Sequence, residues 1–243
     1  MFICKATSYL CALSLVASTI AYTAPSTQSK FTDVLSQAKL QYPDSSTAAT
    51  SDDLLDGFAA SYFYLTDDLY MQFQVAGDSG RSELRQMETS GEQTAWDCTG
   101  STTHVATATI ALPVQVSGIE EVTMMQIHDT LTSPALRISW VSSITINGVT
   151  SEDVIISTVR QGLDTDSATV KTVLQEHTTS RTEFGITAKN GLVTVTVNGV
   201  TKLNKASISA YSDSTCYFKA GAYNNNPTVS SAVARNKFFQ LDW

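Results

Sequence analysis

The sequence predicts an all-β sandwich or barrel. Three observations carry that prediction. About a dozen short segments show β-branched, aromatic or strictly alternating patterns. Turn chemistry separates them, with Asn-Gly pairs at Asn147-Gly148, Asn190-Gly191 and Asn198-Gly199. And after the first third of the chain no stretch has the helical apolar stripe that the crossovers of a parallel α/β sheet need. No internal repeat is evident, which argues against a propeller.

Taken in order, residues 1–21 read as a secretory signal. Lys5 precedes an apolar stretch from Tyr9 to Ala21, and the small residues Thr19 and Ala21 suit cleavage before Tyr22. The run is short for a membrane span and no basic stop-transfer cluster follows. Residues 22–243 are then expected to form one exported, extracellular domain. Residues 22–30 form a polar leader. Phe31, Val34, Leu35 and Ala38 make a helical stripe over Phe31 to Leu40, ending before Pro43. Residues 44–57, rich in Ser, Thr and Asp, read as loop.

Strands are expected at Leu69 to Val75, Arg81 to Glu88, His104 to Leu112, Val122 to His128, Ala135 to Ile146, Asp153 to Arg160 and Thr169 to Glu176. The plainest hairpin joins Thr182–Ala188 to Leu192–Asn198 through Asn190-Gly191. There Val193, Val195 and Val197 alternate with Thr194, Thr196 and Asn198, as on a sheet with one face in the core. Ala206 to Tyr211, Cys216 to Tyr223 and Lys237 to Asp242 complete the set.

The chain carries 15 Lys and Arg against 23 Asp and Glu, a net charge of −8. With no basic run to offset phosphate charge, a nucleic-acid backbone is not the expected partner. Local charge, not total charge, focuses a field, so an acidic polymer in a basic groove remains compatible. Of four cysteines, Cys4 and Cys11 fall in the leader, which leaves Cys98 and Cys216. Two cysteines in an exported chain most simply form one disulfide. No residue spacing matches a zinc finger or an EF-hand, so no metal is expected.

Three segments place polar residues at strand period: RSELRQ at Arg81 to Gln86, QIH at Gln126 to His128, and YFKAGAY at Tyr217 to Tyr223. Alternate side chains of a strand share a face. Arg81, Glu83 and Arg85 fall on one parity, as do Gln126 and His128, and Tyr217, Lys219 and Tyr223. Leu84, Ile127, Phe218, Ala220 and Ala222 fall between them. Together the segments describe a sheet with one dry face and one face gathering cations, an amide, an imidazole and phenols. Glu83 could simply pair with Arg81 and Arg85 in a surface ladder of small energetic worth. Alternatively it holds those forks in place while one grips a carboxylate, a geometry that suits guanidinium. Lys219, on the parity of Tyr223, would favour its phenolate and so assist proton transfer.

Glycoside hydrolysis usually wants two carboxylates, and these segments supply only Glu83. β-Elimination from a uronate polymer fits better. There the C5 proton becomes acidic once its carboxylate is neutralised by charge and hydrogen bonds. Arg81, Gln126 and His128 suit that neutralisation. Tyr223 suits the acid, and either Tyr223 or His128 the base.

The three blocks, in this order, resemble those of the alginate lyases of polysaccharide lyase family 7: R-(S/T)-E-(L/V)-R, Q-(I/V)-H and YFKAG-x-Y. LSQAKLQYP at Leu35 to Pro43 is similar to the family's opening segment, with Ala38 in place of tryptophan. Trp96 followed by His104 also sits where the family has such residues. The resemblance covers nearly all of residues 22–243. It implies a β-jelly roll whose concave sheet holds alginate, no organic cofactor, and an unsaturated uronate left at the new chain end. It implies that Arg81, Gln126, His128 and Tyr223 are catalytic and that Glu83, Arg85, Lys219 and Asn225 bind substrate. Gln86 and Asn225 depart from the commoner glutamate and glutamine, which bears on subsite preference. In the family, isoleucine at position 127 often, though not regularly, accompanies activity on guluronate-containing chains. A monomer is expected. Two other readings share these residues: a lyase for another polyuronate such as glucuronan, and a non-catalytic carbohydrate-binding protein.

Overall fold

A computed structural model describes residues 21–76, 80–130, 133–164, 166–225, 228–229 and 231–243. The leader expected over residues 1–21 thus lies, but for Ala21, outside the described residues, as do Asn226 and Pro227 beyond the third block.

Sixteen strands are found among the described residues: β1 (Ala38–Gln41), β2 (Thr47–Ala49), β3 (Phe63–Leu65), β4 (Met71–Ala76), β5 (Arg81–Gln86), β6 (Trp96–Asp97), β7 (His104–Ala111) and β8 (Glu121–Asp129), then β9 (Pro134–Ile146), β10 (Val149–Arg160), β11 (Thr169–Glu176), β12 (Thr182–Lys189), β13 (Leu192–Val197), β14 (Val200–Ser207), β15 (Thr215–Asn224) and β16 (Val233–Asp242). All pairings are antiparallel. One sheet runs β11-β10-β9-β8-β15-β5-β1-β2, with β6 added beside β15. The other runs β14-β13-β12-β7-β16-β4-β3. The two pack into a jelly-roll β-sandwich, as expected from the sequence. No helix among the described residues is long and apolar enough to cross a membrane.

Each of the three Asn-Gly pairs forms a tight turn between consecutive strands. Asn147, Asn190 and Asn198 have φ near +50° and are followed by glycines at positive φ, the backbone that a two-residue hairpin loop of the right twist demands.

The sequence reading needs correction in three places. The stripe from Phe31 to Ala38 is not one helix. A five-residue helix, α1 (Thr32–Ser36), stops at Gln37, and Ala38 to Gln41 pair with β5. Phe31, Val34, Leu35, Ala38 and Leu40 are all buried, so a short helix followed by a strand yields the same apolar spacing as one longer helix. Residues 44–57 are not all loop. They hold β2 and α2 (Ser51–Leu55), whose capping box pairs Thr50 Oγ1 with the Asp53 N–H (3.3 Å) and Asp53 Oδ2 with the Thr50 N–H (2.9 Å). That Thr-x-x-Asp signal was readable. Finally, the strand placed at Ala206 to Tyr211 is β14, Val200–Ser207, and residues 209–211 form a 3₁₀ turn. The hairpin turn at Asn198-Gly199 forces the strand to resume at Val200. Its polar, exposed sequence hides it because it lies at a sheet edge.

The core lies between the sheets. Leu84, Ile127, Phe218, Ala220 and Ala222 of the larger sheet are at most 2 % exposed and meet Phe73, Ile110, Ile186 and Phe238 from the smaller one. Burying a side chain such as Phe218 is worth about 1.5–3 kcal/mol. This burial fixes the parity of β5, β8 and β15. A one-residue slip would turn every apolar side chain outward, so the alternate positions are held on the outer face. Cys98 and Cys216 are disulfide-bonded, with Cα atoms 5.1 Å apart, tying the chain after β6 to β15.

Candidate active site

β5, β15 and β8 are adjacent strands, and the three polar blocks lie on them side by side. Register aligns their side chains in rows across the sheet. One row runs Arg137 (β9), Gln126 (β8), Lys219 (β15), Arg85 (β5) and Lys39 (β1), each directly paired with the next. Successive members sit about one strand spacing apart, ~4.8 Å. Tyr223 is directly paired with Arg81, and Tyr217 with His128.

Glu83 is the hub. It is fully buried. Its Oε2 accepts from Lys219 Nζ at 2.6 Å and lies 3.6 Å from Arg81 Nη1, and its Oε1 accepts from Gln126 Nε2. Burial alone would raise its pKa. The charges of Lys219 and Arg81, with hydrogen bonds from Lys219 and Gln126, outweigh that and hold it below the ordinary carboxylate range. Lys219 is likewise fully buried. Burial, opposed by Glu83 and reinforced by Arg81 and Arg85, brings it down to about 8. The structure therefore places Glu83 and Lys219, both expected as substrate-groove residues, in a buried pair beneath the outer face. Arg85 is not part of that ladder. Its Nη2 donates to Gln93 Oε1 (2.9 Å), its Nη1 donates to the Gln86 carbonyl (3.1 Å), and its guanidinium stacks 3.8 Å from the Tyr217 ring centre.

The cation nearest the Tyr223 ring is also not the expected one. Arg81 Cζ sits 4.5 Å from its centre, while Lys219 is turned to Glu83. Register sets this, since Tyr223 pairs directly with Arg81 and Lys219 with Arg85, and midway between the two pairs lies Gly221. Its φ is +153°, and the register of β15 against β8 shifts between Ala220 and Tyr223. A Cβ at Gly221 would fall 2.3 Å from the Ser82 carbonyl oxygen and 2.6 Å from Glu83 Cα, so only glycine lets β15 approach β5 this closely. From the opposite sheet, buried Asn236 donates its side-chain N–H to the Gly221 carbonyl.

His128 packs its ring against Tyr217, centroids 5.5 Å apart. Its Nδ1 lies 2.7 Å from the Asp129 carbonyl oxygen. Burial, then the Lys219 charge, lowers its pKa, although the Asp129 carbonyl, Glu83 and the Asp129 carboxylate pull the other way, so the imidazole is neutral at neutral pH. A neutral ring beside a carbonyl acceptor carries its proton on Nδ1, which leaves the Nε2 lone pair free.

Asn225 closes the far edge. With its amide turned to satisfy both ends, its nitrogen donates to Thr123 Oγ1 (2.8 Å) and the Tyr223 carbonyl (2.9 Å), and its oxygen accepts from Arg137. Ile127 is fully buried and does not reach the outer face. A cavity of about 460 Å³ opens past Arg85, lined by Lys39, Thr50, Asp52, Met87 and Gln93 among others. Of these neighbours, Lys39, Gln93, Arg137 and Tyr217 were not among the expected site residues. Gln93 lies in a segment with no strand pattern. Lys39 was hidden by the helical reading of its segment. Among the described residues no cluster of His, Cys, Asp and Glu is placed to hold a metal ion.

Comparison with known proteins gives a consistent result. Solved structures that share the fold include three alginate lyases. The alginate lyase AlyC3 superposes with a TM-score of 0.77 at 20 % identity, over 91 % of this chain and 95 % of that one. The alginate lyase A1-II', of polysaccharide lyase family 7, gives 0.73 at 24 %, over 90 % and 97 %. The alginate lyase PA1167 from Pseudomonas aeruginosa gives 0.66 at 22 %, over 86 % and 97 %. No curated protein matches at the sequence level. The family model described as alginate lyase matches residues 33–243, a stretch that holds all three polar blocks and both sheets, and the chain belongs to that family, polysaccharide lyase family 7.

Proposed function

We propose that this protein is an exported lyase that cleaves alginate by β-elimination. The C5–H bond of a uronate breaks, the C5=C4 double bond forms, the C4–O4 bond breaks, and a proton goes to O4. Arg81 and Gln126 neutralise the substrate carboxylate and so stabilise the enolate-like intermediate. Glu83 acts through them. By accepting from Gln126 Nε2 it fixes which way that amide faces, and it anchors Arg81 and Lys219.

His128 fits the base better than a third carboxylate donor. Its Nδ1 proton is directed at the Asp129 carbonyl, so Nε2 offers a lone pair. Among the described residues the Tyr223 hydroxyl has no hydrogen-bond partner, which leaves it to protonate O4. In guluronate the proton and leaving oxygen lie on opposite sides, which suits a separate base and acid. In mannuronate they lie on one side, and Tyr223 alone would serve both roles.

The observation that carries this reading is the composition of the outer face: cations, an amide, a neutral imidazole and a free phenol, with one carboxylate that is buried and ion-paired. Inverting and retaining hydrolases both need two. Export is supported by the apolar leader and by the Cys98–Cys216 bond.

The test is digestion of polymannuronate, polyguluronate and glucuronan, followed by ultraviolet absorbance of the conjugated product. Absorbance rising with either alginate block supports the reading. Rise with glucuronan alone moves the substrate, and no rise with any polymer leaves a binding protein.

A further inference from the structure

The outer face of the seven-stranded sheet, opposite the candidate active site, carries a second concentration of cations. Along β16, Arg235, Lys237 and Phe239 alternate with buried Ala234, Asn236 and Phe238, and so face outward. Lys30 and Arg181 join them from other parts of the chain. Lys30 Nζ sits 3.6 Å, and Arg181 Cζ 3.5 Å, from the centre of the same Phe239 ring. Lys30 also donates to the Leu69 carbonyl (2.9 Å), and Arg181 Nε donates to Tyr70 Oη (2.8 Å). Lys237 Nζ lies 5.8 Å from the Tyr70 ring centre, and Arg235 Nε donates to Gln74 Oε1 (3.2 Å).

The counter-charge is sparse. Among the described residues the one carboxylate within ion-pair distance of these four cations is Asp68, 3.7 Å from Lys237. The cross-strand neighbours of Arg235 and Lys237 are Gln74, Gln72 and Ala111, all uncharged. Covering an aromatic ring explains one cation over Phe239. It does not explain two that repel one another, in a chain whose acids outnumber its bases. Arg181 is exposed, and no described residue accepts from its two terminal nitrogens.

We propose that Lys30, Arg181, Arg235 and Lys237 form an accessory docking stripe for a second segment of acidic polysaccharide. The ligand class is a polyuronate, which presents a carboxylate on every sugar to these cations, two of them held over the Phe239 ring. The stripe faces away from the reacting residues, so it holds polymer near the enzyme and takes no part in bond cleavage. This rests on the reading of the substrate as alginate.

The experiment compares wild type with Lys30→Gln/Arg181→Gln and with Arg235→Gln/Lys237→Gln, each checked for folding by thermal melt. Two readouts are used: retardation in native gels containing alginate or a neutral polysaccharide, and kinetics on polymer and on a tetrasaccharide too short to span both faces. The expected result is weaker retardation in alginate gels only. KM on polymer should rise about fivefold, the scale of losing two exposed charges, with unchanged kcat and unchanged tetrasaccharide kinetics. The charge-retaining Lys30→Arg/Arg181→Lys variant should behave as wild type. If both double variants fold and keep wild-type retardation and polymer KM, the stripe is overturned while the lyase reading stands. If wild type itself forms no unsaturated product, the lyase reading falls, whatever the gels show.

Discussion

Gly221→Ala tests whether the close approach of β15 to β5 sets the geometry of the site. The added Cβ would lie 2.3 Å from the Ser82 carbonyl oxygen and 2.6 Å from Glu83 Cα, against 3.4 Å or more for an ordinary contact. Both obstacles are backbone, so no side chain can swing aside. The strands must part by about 1 Å, at a point two residues from Lys219 and two from Tyr223. Alanine must also leave the +153° φ that glycine tolerates. Overpacking of this kind costs about 1–3 kcal/mol, and a misplacement of about 1 Å in a reacting constellation can cost about 10²-fold. The assay is a urea midpoint for stability beside kcat on alginate. Gly199→Ala is the control. It also has positive φ (75°) but nothing within 4 Å, so it should lose about 1–2 kcal/mol and keep kcat. A folded Gly221→Ala enzyme with kcat within about threefold of wild type, far short of that 10²-fold loss, would refute the reasoning.

Replacing Cys98 and Cys216 with serine opens a loop with a sequence separation of 118 residues. Loop entropy puts the loss at about 5 kcal/mol, at the top of the usual range, read as a drop in urea midpoint. Glu83→Gln leaves the Lys219 ammonium buried without its partner and should cost about 3–5 kcal/mol. Because the folded Glu83 pKa is depressed, its stabilisation is complete above the unfolded value and is lost as pH falls through the folded one. Wild type should therefore show an acid loss of stability that the glutamine variant lacks, in urea midpoints taken across the acid range. His128→Asn should lose at least about 10²-fold in kcat on polyguluronate, as for a removed general base, and much less on polymannuronate. An equal loss on both would assign the imidazole to carboxylate binding.

Much of this was legible in the sequence because two periodicities coincide in β5, β8 and β15. Leu84, Ile127 and Phe218 report the core, and the residues between them report the opposite face. The Asn-Gly pairs named their turns because few other dipeptides tolerate two successive positive φ values. What could not be read was depth. A strand pattern places Glu83 and Lys219 on the outer face but does not say that Lys219 folds back onto Glu83 and that both are sealed from water. Nor does it reveal the distortion at Gly221, or that Arg81, not Lys219, lies against the Tyr223 ring. Lys39 was missed because β1 is only four residues long and follows a helix whose apolar spacing runs smoothly into it.

The central claim, elimination with Tyr223 as the proton donor to O4, is tested most directly by kcat and KM of Tyr223→Phe on alginate, with folding verified separately. The substitution removes one oxygen and keeps the ring against Arg81. The expected result is a kcat lower by at least about 10²-fold, the scale of a lost general acid, with KM little changed because the proposed carboxylate partners Arg81 and Gln126 are untouched. A folded phenylalanine variant with near-normal kcat would contradict it.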